Sequence, residues 1–442
     1  MRRPRLGVLG LRDFRLLWLG QTISTVGDQI FPIAVTIAVL NATHNNAGAV
    51  GAVLAARWAA LVLFVLIGGV WADRLSRKAV MIGADGFRMV TVLGLALLPS
   101  SPSIWLLGAL VFLVGGGEAF FRPANGGLIP AVVPEEQRSS ANALSSVSMR
   151  TAAIVGPGVG ALLVTATSVH VAFLLDATTF GVSLLTLIRL HEPPYERAES
   201  NSAIRDIRVG FVEVWKRRWA AAVLGVAAIQ LMAMIAPTIV LLPIISRREF
   251  GGDGVFGAAL SIASVGGLIG ALLALRFRPR HPGLVGVLGL LPWSLVPLTL
   301  LTPFAPWWIF LGYFLSGVGI EPFIVYWTNA LQREFPAHQI ARVTSIDWLC
   351  SFALLPLGLA LVGPLVDVWG EATLLWISVF VAIVPSLLLL LVPGMRDFHD
   401  PRDPVAGERD AEAPYIPMAE PGTTVPRPAA DRSYEQAGDA RT

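Results

Sequence analysis

Three carboxylates lie in stretches of the chain that are otherwise almost entirely apolar. They are Asp28, Glu118 and Glu321. An ionisable side chain at the centre of a membrane-embedded helix costs about 2.5–3.5 kcal/mol on insertion scales, so each of these groups is expected to serve a purpose. A carboxylate that is shielded from water can exchange a proton near neutral pH. The setting of these three residues therefore predicts proton transfer in an apolar interior.

Basic residues near these carboxylates differ from one position to the next. Glu118 has Arg122 one helical turn further on. Asp28 and Arg57 are predicted to differ in depth by only ~4–5 Å at 1.5 Å per residue, which predicts an ion pair between them. A purely structural pair is the alternative to a role in proton exchange. Glu321 has no basic residue within four positions, so its charge is predicted to lack a local counter-ion.

The remaining ionisable groups are weaker candidates for chemistry. Asp176 and Asp347 come next, and Asp347 is interpreted as a charge at a helix N-terminus. The six histidines lie mostly in loops or at the edges of apolar runs, and Cys350 is the single cysteine. This distribution predicts no metal site, no disulfide and no cofactor.

The composition defines the surroundings of these groups. Apolar residues make up 55% of the 442 residues and charged residues only 14%, against about a quarter in typical soluble domains. The mean hydropathy is +0.67. A soluble chain of this length could not bury so much apolar surface, so the sequence predicts an integral membrane protein. The net charge of +3 gives no indication of nucleic-acid binding.

Apolar segments long enough to cross a bilayer, about 20 residues or more, occur twelve times. Helices are required, because open strands would leave backbone groups unpaired in lipid. The first segment is too long for the apolar region of a signal peptide and is predicted to be retained. The predicted spans lie near residues 14–40, 48–72, 79–98, 103–125, 141–166, 168–190, 219–245, 254–275, 283–302, 305–330, 341–366 and 371–392.

Basic residues alternate between the two sides of the predicted bundle. Loops after spans 2, 4, 8 and 10 are basic, whereas the opposite loops at 41–47, 99–102 and 303–304 contain neither Lys nor Arg. The positive-inside rule then places both termini in the cytoplasm. Arg247 and Arg248, after span 7, depart from this pattern.

The two halves of the chain resemble each other. Glu118 and Glu321 each lie late in the fourth span of a half, with a leucine at the same offset and a proline and an arginine downstream. We therefore predict an all-α membrane fold of twelve transmembrane helices in two pseudo-symmetric six-helix bundles, residues 1–190 and 219–392.

Two polar segments flank the second bundle. Residues 191–218 are charge-rich and carry apolar residues at helical spacing, which predicts a cytoplasmic linker with an amphipathic interfacial helix. These apolar residues are Ile204, Ile207, Phe211 and Val214. Residues 393–442 are rich in Pro, Ala, Gly and charge, which predicts a disordered cytoplasmic tail.

The connection between spans 2 and 3 carries four charges in a ten-residue stretch, 69–78. It resembles the loop between helices 2 and 3 of the major facilitator superfamily, although Trp71 stands in place of Leu and Ser76 in place of Gly. The matching residues are Gly69, Asp73, Arg74, Arg77 and Lys78. The resemblance implies a latch that holds the two halves together in the outward-facing state. A plain positive-inside anchor is the alternative.

Span 5 contains a second element of this kind at residues 156–161. Its residues Gly156, Pro157 and Gly160 resemble the G-P-x-x-G-G element of exporters and proton-coupled antiporters of the superfamily, with Ala161 in place of the last glycine. Ordinary packing of small residues is the alternative. The stretches 117–124 and 133–144 resemble the branch that includes macrolide effluxers and the enterobactin exporter. Arg122 lies later than the span 4 arginine of well-known drug:proton antiporters.

The resemblance implies a secondary active transporter, most simply a proton-coupled exporter of small amphipathic molecules (drug, macrolide or siderophore-like) that works by alternating access. Its expected partners are a small-molecule substrate, protons and the lipid bilayer of the plasma membrane, with no nucleic acid, and the chain is expected to be a monomer. The candidates for transport or proton coupling are Asp28, Arg57, Glu118, Arg122, Asp176 and Glu321.

Three other functions remain as alternatives. A nutrient or metabolite uptake permease would share the fold, and the span 5 element argues against it only weakly. A non-transporting sensor or scaffold would need an output domain, for which 393–442 lacks the apolar content. A membrane-embedded enzyme is not expected, because the chain has no nucleophile elbow, H-E-x-x-H sequence or Gly-rich phosphate loop.

Overall fold

A computed structural model describes residues 7–99, 101–193, 211–212, 214–335 and 337–399. Within this part of the chain, twelve helices are long and apolar enough to cross a membrane. They are α1 Arg12–Thr43, α2 Ala47–Gly69, α3 Arg77–Ala96, α4 Ile104–Val132, α5 Glu135–Ala166, α6 Val169–Arg189, α7 Arg218–Phe250, α8 Gly254–Arg276, α9 Pro282–Leu301, α10 Pro306–Glu334, α11 Val343–Trp369 and α12 Glu371–Leu389. Each corresponds to one predicted span, which confirms the all-α membrane fold.

Several of these helices are interrupted where the sequence supplies proline. Helix α7 contains a π-helical turn, Leu231–Ile235, directly before Pro237. Because Pro237 has no N–H to give to the carbonyl of Ala233, that carbonyl instead accepts a hydrogen bond from the Ser378 hydroxyl of α12 at 3.0 Å. Helix α9 includes a 3-10 turn, Leu291–Ser294. The span α11 falls on two helical segments, Ala337–Phe352, which begins before the span, and Leu355–Trp369.

The packing of the first six helices repeats in the second six. In the first half α1 packs on α5 and α6, and α4 packs on α2 and α3, with α3 also against α6. In the second half α7 packs on α11 and α12, and α10 packs on α8 and α9, with α9 also against α12. These are the same pairs shifted by six helices, as the two pseudo-symmetric bundles require.

The two halves are joined mainly through α2 against α11 and α5 against α8. We call outer the end of the bundle that carries residues 44–46 and 251–253, following the predicted orientation. At this end glycines let the backbones approach, since a Cβ on Gly51 would meet the carbonyl of Leu359 and one on Gly363 would meet the backbone of Gly48. The segments of α7 and α11 that contact α2 are likewise their outer ones, Ala236–Phe250 and Leu355–Trp369.

Parts of the predicted linker and tail lie outside the described residues, namely 194–210, 213 and 400–442. The expected start of a disordered tail at residue 393 is wrong for residues 393–399. This segment packs back on the second half, with Met395 and Phe398 fully buried. The segment is ordered because its hydrophobic residues are buried, with Phe398 packed against the rings of Trp219 and Trp327.

Candidate functional site

An ion triad joins α2 and α4 near the middle of the bundle. Arg57 donates to Glu118 Oε2 at 2.9 Å, and Arg122 donates through Nε to Glu118 Oε1 at 3.0 Å. Gly115 permits this pairing, because any side chain there would meet the backbone of Arg57. The predicted contact between Glu118 and Arg122 is present. The predicted ion pair between Arg57 and Asp28 is wrong, since Arg57 pairs with Glu118.

Asp28 has a different partner, which the sequence interpretation missed. Arg88 of α3 donates to Asp28 at 3.2 Å and also to Asp85. The Arg88 side chain is only 1% exposed and lies 4.4 Å from the ring centroids of both Phe121 and Phe180. Its charge is therefore balanced by two carboxylates and two aromatic faces. Asp85 and Arg88, three residues apart in an apolar run, were the sequence signal for this cluster.

Polar side chains of α1 and α6 extend the cluster. Ser183 donates to Asp85 at 2.6 Å, and Gln21 donates to Ser183 at 3.0 Å. Charges and hydroxyls from α1, α3 and α6 thus form one connected network inside the first half.

The two second-rank aspartates differ in their surroundings. Asp176 is fully buried, and neither of its carboxylate oxygens has a hydrogen-bond partner among the described residues. The neighbouring Thr179 hydroxyl donates to the Asp176 backbone carbonyl instead, at 2.7 Å. Asp347 accepts from Trp327 Nε1 at 3.1 Å. The interpretation of Asp347 as an N-terminal helix charge is wrong, because its helix begins ten residues earlier, at Ala337.

A second ion pair crosses from one half to the other. Arg150 of α5 donates to Glu321 of α10 at 3.2 Å, and the arginine side chain is 41% exposed. Both residues line a cavity of about 250 Å³, together with Ser264, Trp293 and Ser316. The expectation that Glu321 lacks a counter-ion is wrong, because its partner comes from the other half of the chain, 171 residues away.

Aromatic rings also bridge the halves at this level. Trp58 of α2 stacks on Phe352 of α11 with ring centroids 5.2 Å apart, and Phe352 stacks on Trp348 at 5.1 Å. The Arg122 guanidinium lies 5.9 Å from the centroid of the Trp348 ring. We refer to Trp58, Phe352 and Trp348 as the ring stack. Through Arg122 the ring stack is continuous with the ion triad.

The outer end is held by a network around Arg247. This side chain makes two bonds to Asp253, at 2.6 and 2.9 Å, within its own half. It also donates to Asn41 at 2.9 Å and to Asn45 at 3.1 Å, both in the first half. Arg248 pairs with Glu249 and Glu371. Nearby acidic groups therefore accompany both arginines that departed from the predicted charge alternation.

The charged loop between α2 and α3 contacts the first half. The Glu192 carboxylate accepts from the Ser76 hydroxyl and from the backbone N–H groups of Arg77 and Lys78, so it caps the N-terminus of α3. Lys78 Nζ donates to the carbonyls of Ile188 and Leu190 at the end of α6.

The helix of span α2 continues to Arg74, so the latch residues Asp73 and Arg74 lie at its end, and the structure does not describe their side chains. Arg77 donates to the carbonyl of Gly127 in α4. A Cβ on Gly69 would meet nothing within 4 Å. The role of this loop as a latch stays a prediction.

The span 5 element lies between two helices. On one side Gly156 and Gly160 face α1, where a Cβ would meet Gln29 and Ile30 respectively. On the other side the Gly158 N–H donates to Ser261 of α8 at 2.9 Å, and a Cβ on Gly257 would meet Pro157. The small residues thus serve close packing within the first half and across to the second.

Within the described residues, twelve spans in two repeated bundles, joined by an ion pair and stacked rings, define a multi-pass α-helical membrane protein. The family comparison agrees with this description. Residues 17–358 match the model of the Major Facilitator Superfamily, and the chain belongs to that superfamily.

Curated relatives carry names that denote efflux. The chain is 25% identical over 363 residues to macrolide efflux protein A of Streptococcus pyogenes, covering 79% of this chain and 88% of the relative. It is also 25% identical over 407 residues to the enterobactin exporter EntS of Citrobacter koseri, covering 88% of this chain and 94% of the relative. These relatives are transporters rather than enzymes, and they confirm the predicted resemblance.

Solved structures share the fold at low sequence identity. A POT family transporter in complex with 5-aminolevulinic acid matches with a TM-score of 0.72 and 14% identity, over 88% of this chain and 97% of that one. A bacterial homologue of the human lysosomal transporter Spinster, in an inward-facing and unoccupied conformation, matches with a TM-score of 0.62 and 14% identity, over 87% and 95%. At this identity the matches show the fold alone.

Proposed function

We propose that this superfamily member is a proton-coupled exporter of small amphipathic molecules that works by alternating access in the plasma membrane, as a monomer with both termini in the cytoplasm. The ion pair between Arg150 and Glu321 is the observation that carries the proposal, because it joins the two halves near mid-membrane. The efflux names of the relatives support the direction of transport.

The distribution of contacts between the halves supports the alternating-access part. Close packing at Gly48 and Gly363 and the hydrogen bonds of Arg247 all lie at the outer end. Arg122 and Arg150, near the middle, have side chains 48% and 41% exposed. With the predicted orientation, this arrangement is that of an inward-facing carrier, ready to take substrate from the cytoplasm or the inner leaflet.

Charge counting favours Glu321 over the other two leading carboxylates as the proton carrier. Protonation of Glu321 removes the attraction that holds Arg150, which weakens a contact between the halves and leaves the half-exposed guanidinium with access to water. Protonation of Glu118 would leave two guanidinium groups without their shared counter-charge. Asp28 shares Arg88 with Asp85, entirely within the first half.

The coupling can be tested with inverted membrane vesicles from a host without its own drug pumps. A radiolabelled macrolide serves as the probe, because macrolide efflux protein A is among the relatives. We expect Glu321→Gln to abolish accumulation driven by a pH gradient while exchange of labelled for unlabelled probe continues, since exchange needs no net proton movement. Glu118→Gln is expected to lose accumulation as well.

Glu249→Gln is the matched control, because Glu249 pairs with Arg248 at the exposed outer end. It should accumulate the probe like the unmodified protein. Full gradient-driven accumulation in both Glu118→Gln and Glu321→Gln would contradict the coupling. If movement in whole cells is inward, the proposed direction is wrong and the uptake permease takes its place.

A further inference from the structure

We infer that the ring stack and Arg122 form one binding site for a planar aromatic ligand that carries an acidic group. The inference rests on the proposed function, because it names the class of substrate that would occupy the space between the halves. It concerns the chemistry of binding, however, and does not depend on the direction of transport or on the coupling ion.

The ring stack places three aromatic side chains at the junction of the two halves. The planes of Trp58 and Phe352 are within 6° of parallel, and those of Trp348 and Phe352 within 22°. All three side chains are only partly buried. A flat ring placed against this stack would gain apolar burial and offset stacking at once.

The ring stack lies on the inner side of the close contact between α2 and α11 at the outer end of the bundle. Trp58 and Phe352 are each seven residues from the contact between Gly51 and Leu359, which is about 10 Å along a helix. A ligand on the stack would therefore contact α2 of one half and α11 of the other. Such a position suits a substrate whose binding must change the relative position of the two halves.

The ion triad next to the stack carries a net positive charge. In the ion triad the single carboxylate of Glu118 is shared by Arg57 and Arg122, which leaves a net charge of +1. Both Arg122 nitrogens that pair with Glu118 contact the same oxygen, and Nη1 has no hydrogen-bond partner among the described residues. The Arg122 side chain is 48% exposed, whereas that of Glu118 is 10% exposed.

This arrangement suits an anion better than a cation. A cationic ligand needs a carboxylate with free lone pairs, and two guanidinium groups already occupy Glu118. A carboxylate or sulfonate on the ligand can accept from the free edge of Arg122 while its ring lies on Trp348. Asp28, whose side chain is 36% exposed, is the alternative charged group at this site, because a cationic ligand could bind to its carboxylate instead.

Two probes with the same ring system and opposite charge separate these alternatives. Binding of 1-pyrenebutyrate and of 1-pyrenemethylammonium to the purified full-length protein is measured by equilibrium dialysis in detergent, with empty micelles as the blank. No gradient is present, so the result is independent of the vesicle assay. We expect the anion to bind at least about tenfold more tightly than the cation, the effect of one charge-assisted hydrogen bond.

Substitutions then assign the binding to the named residues. Arg122→Gln should weaken the anion about tenfold or more and leave the cation unchanged, while Trp348→Ala should weaken both probes. Trp307→Ala is the matched control, because Trp307 belongs to an outer aromatic cluster with Phe304 and Trp308. Thermal unfolding of each variant shows whether it is folded, and Arg122→Lys tests the charge by a milder change.

The inference is supported only if the anion is preferred and the preference disappears in Arg122→Gln. Equal binding of the two probes, preference for the cation, binding no stronger than to empty micelles, or an Arg122→Gln variant that binds the anion normally would each overturn it. A cation preference that is lost in Asp28→Asn would assign the charged subsite to Asp28. Loss of gradient-driven transport in the vesicle assay, by contrast, would leave the binding result intact.

Discussion

The guanidinium group of Arg247 donates a hydrogen bond of 2.9 Å to the side-chain oxygen of Asn41, and these two residues belong to opposite halves of the molecule. Asp253 holds the other edge of the same guanidinium. An outer contact of this kind must break whenever the outer end opens. Arg247 therefore sets part of the free-energy difference between the two faces of the transport cycle.

Replacement of Arg247 by alanine should favour the open outer end. Hydrogen bonds to a charged group contribute about 1.5–3 kcal/mol, so we expect a shift of about tenfold or more in the population. In a Cys350→Ala background, a cysteine placed at Ala49 in the packed outer part of α2 reports this shift. Its labelling by a membrane-impermeant maleimide should accelerate in Arg247→Ala.

Arg248→Ala is the control for that measurement, because Arg248 is adjacent and its ion pairs among the described residues, with Glu249 and Glu371, lie within its own half. Its labelling rate should match that of the parent. Equal acceleration in both variants would show that the Arg247 bonds to the first half are not the cause.

Asn45 should tolerate glycine better than alanine. It has φ of 66°, a left-handed conformation that asparagine and glycine adopt with little strain. Both substitutions remove the acceptor for Arg247, but only alanine adds the conformational cost of about 1–2 kcal/mol. Thermal unfolding should thus show Asn45→Ala to be the less stable variant, while cysteine labelling at the outer end rises equally in both. Equal stability would indicate that the turn relaxes.

A side chain at Gly363 should prevent closure of the outer end. The Cβ of a valine at this position would overlap the backbone of Gly48, which has no flexible atoms to move aside. We expect Gly363→Val to label rapidly at position 49 and to lose probe exchange. Gly225→Ala is the control, since nothing lies within 4 Å of its added Cβ. A Gly363→Val protein with normal exchange would show that the halves separate without effect on transport.

Loss of Arg88 should destabilise the first half strongly. Arg88→Met leaves Asp28 and the fully buried Asp85 without their shared counter-charge, and loss of one partner of a buried ion pair typically costs about 3–5 kcal/mol. A double variant that also carries Asp85→Asn should recover part of this loss. Thermal unfolding in detergent measures both, and a single variant as stable as the parent would mean that water reaches the cluster.

The cap on α3 should weaken when Glu192 loses its charge. Glu192→Gln removes a carboxylate that accepts from the N–H groups of Arg77 and Lys78, and we expect a loss of about 1 kcal/mol. Hydrogen–deuterium exchange at residues 77–80 should become faster, while the inner ends of the other helices keep their protection. Unchanged exchange there would assign the capping to Ser76 alone, whose hydroxyl oxygen accepts from the Ala79 N–H at 3.1 Å.

The spans, their number and the repeat could be predicted from the sequence, because apolar length and the spacing around Glu118 and Glu321 are visible along one dimension. The pairing of charges could not. Depth along a helix placed Asp28 near Arg57, but depth says nothing of the direction in which a side chain points in an all-apolar helix. In the structure the side chains point to other partners, since Arg57 pairs with Glu118 and Asp28 pairs with Arg88.

The contacts between the two halves could not be predicted from the sequence either. Arg150 meets Glu321 across 171 residues of chain, and no local pattern relates the two. The packing of Phe398 against the rings of Trp219, Phe323 and Trp327 could not be predicted either, because a short segment between proline and polar residues has the composition of a disordered tail. Packing against α7, α9 and α10 orders it.

The buried segment 393–399 has a practical consequence for handling the protein. Phe398 fills a space beside Trp219, and Arg333 donates to the carbonyls of Asp397 and Phe398, so residues 393–399 pack over the inner side of α7 and α10. A shortened protein should end after His399 rather than at the last transmembrane helix. Affinity tags and fluorescent fusions should be attached beyond that residue, where they do not disturb the packing of residues 393–399.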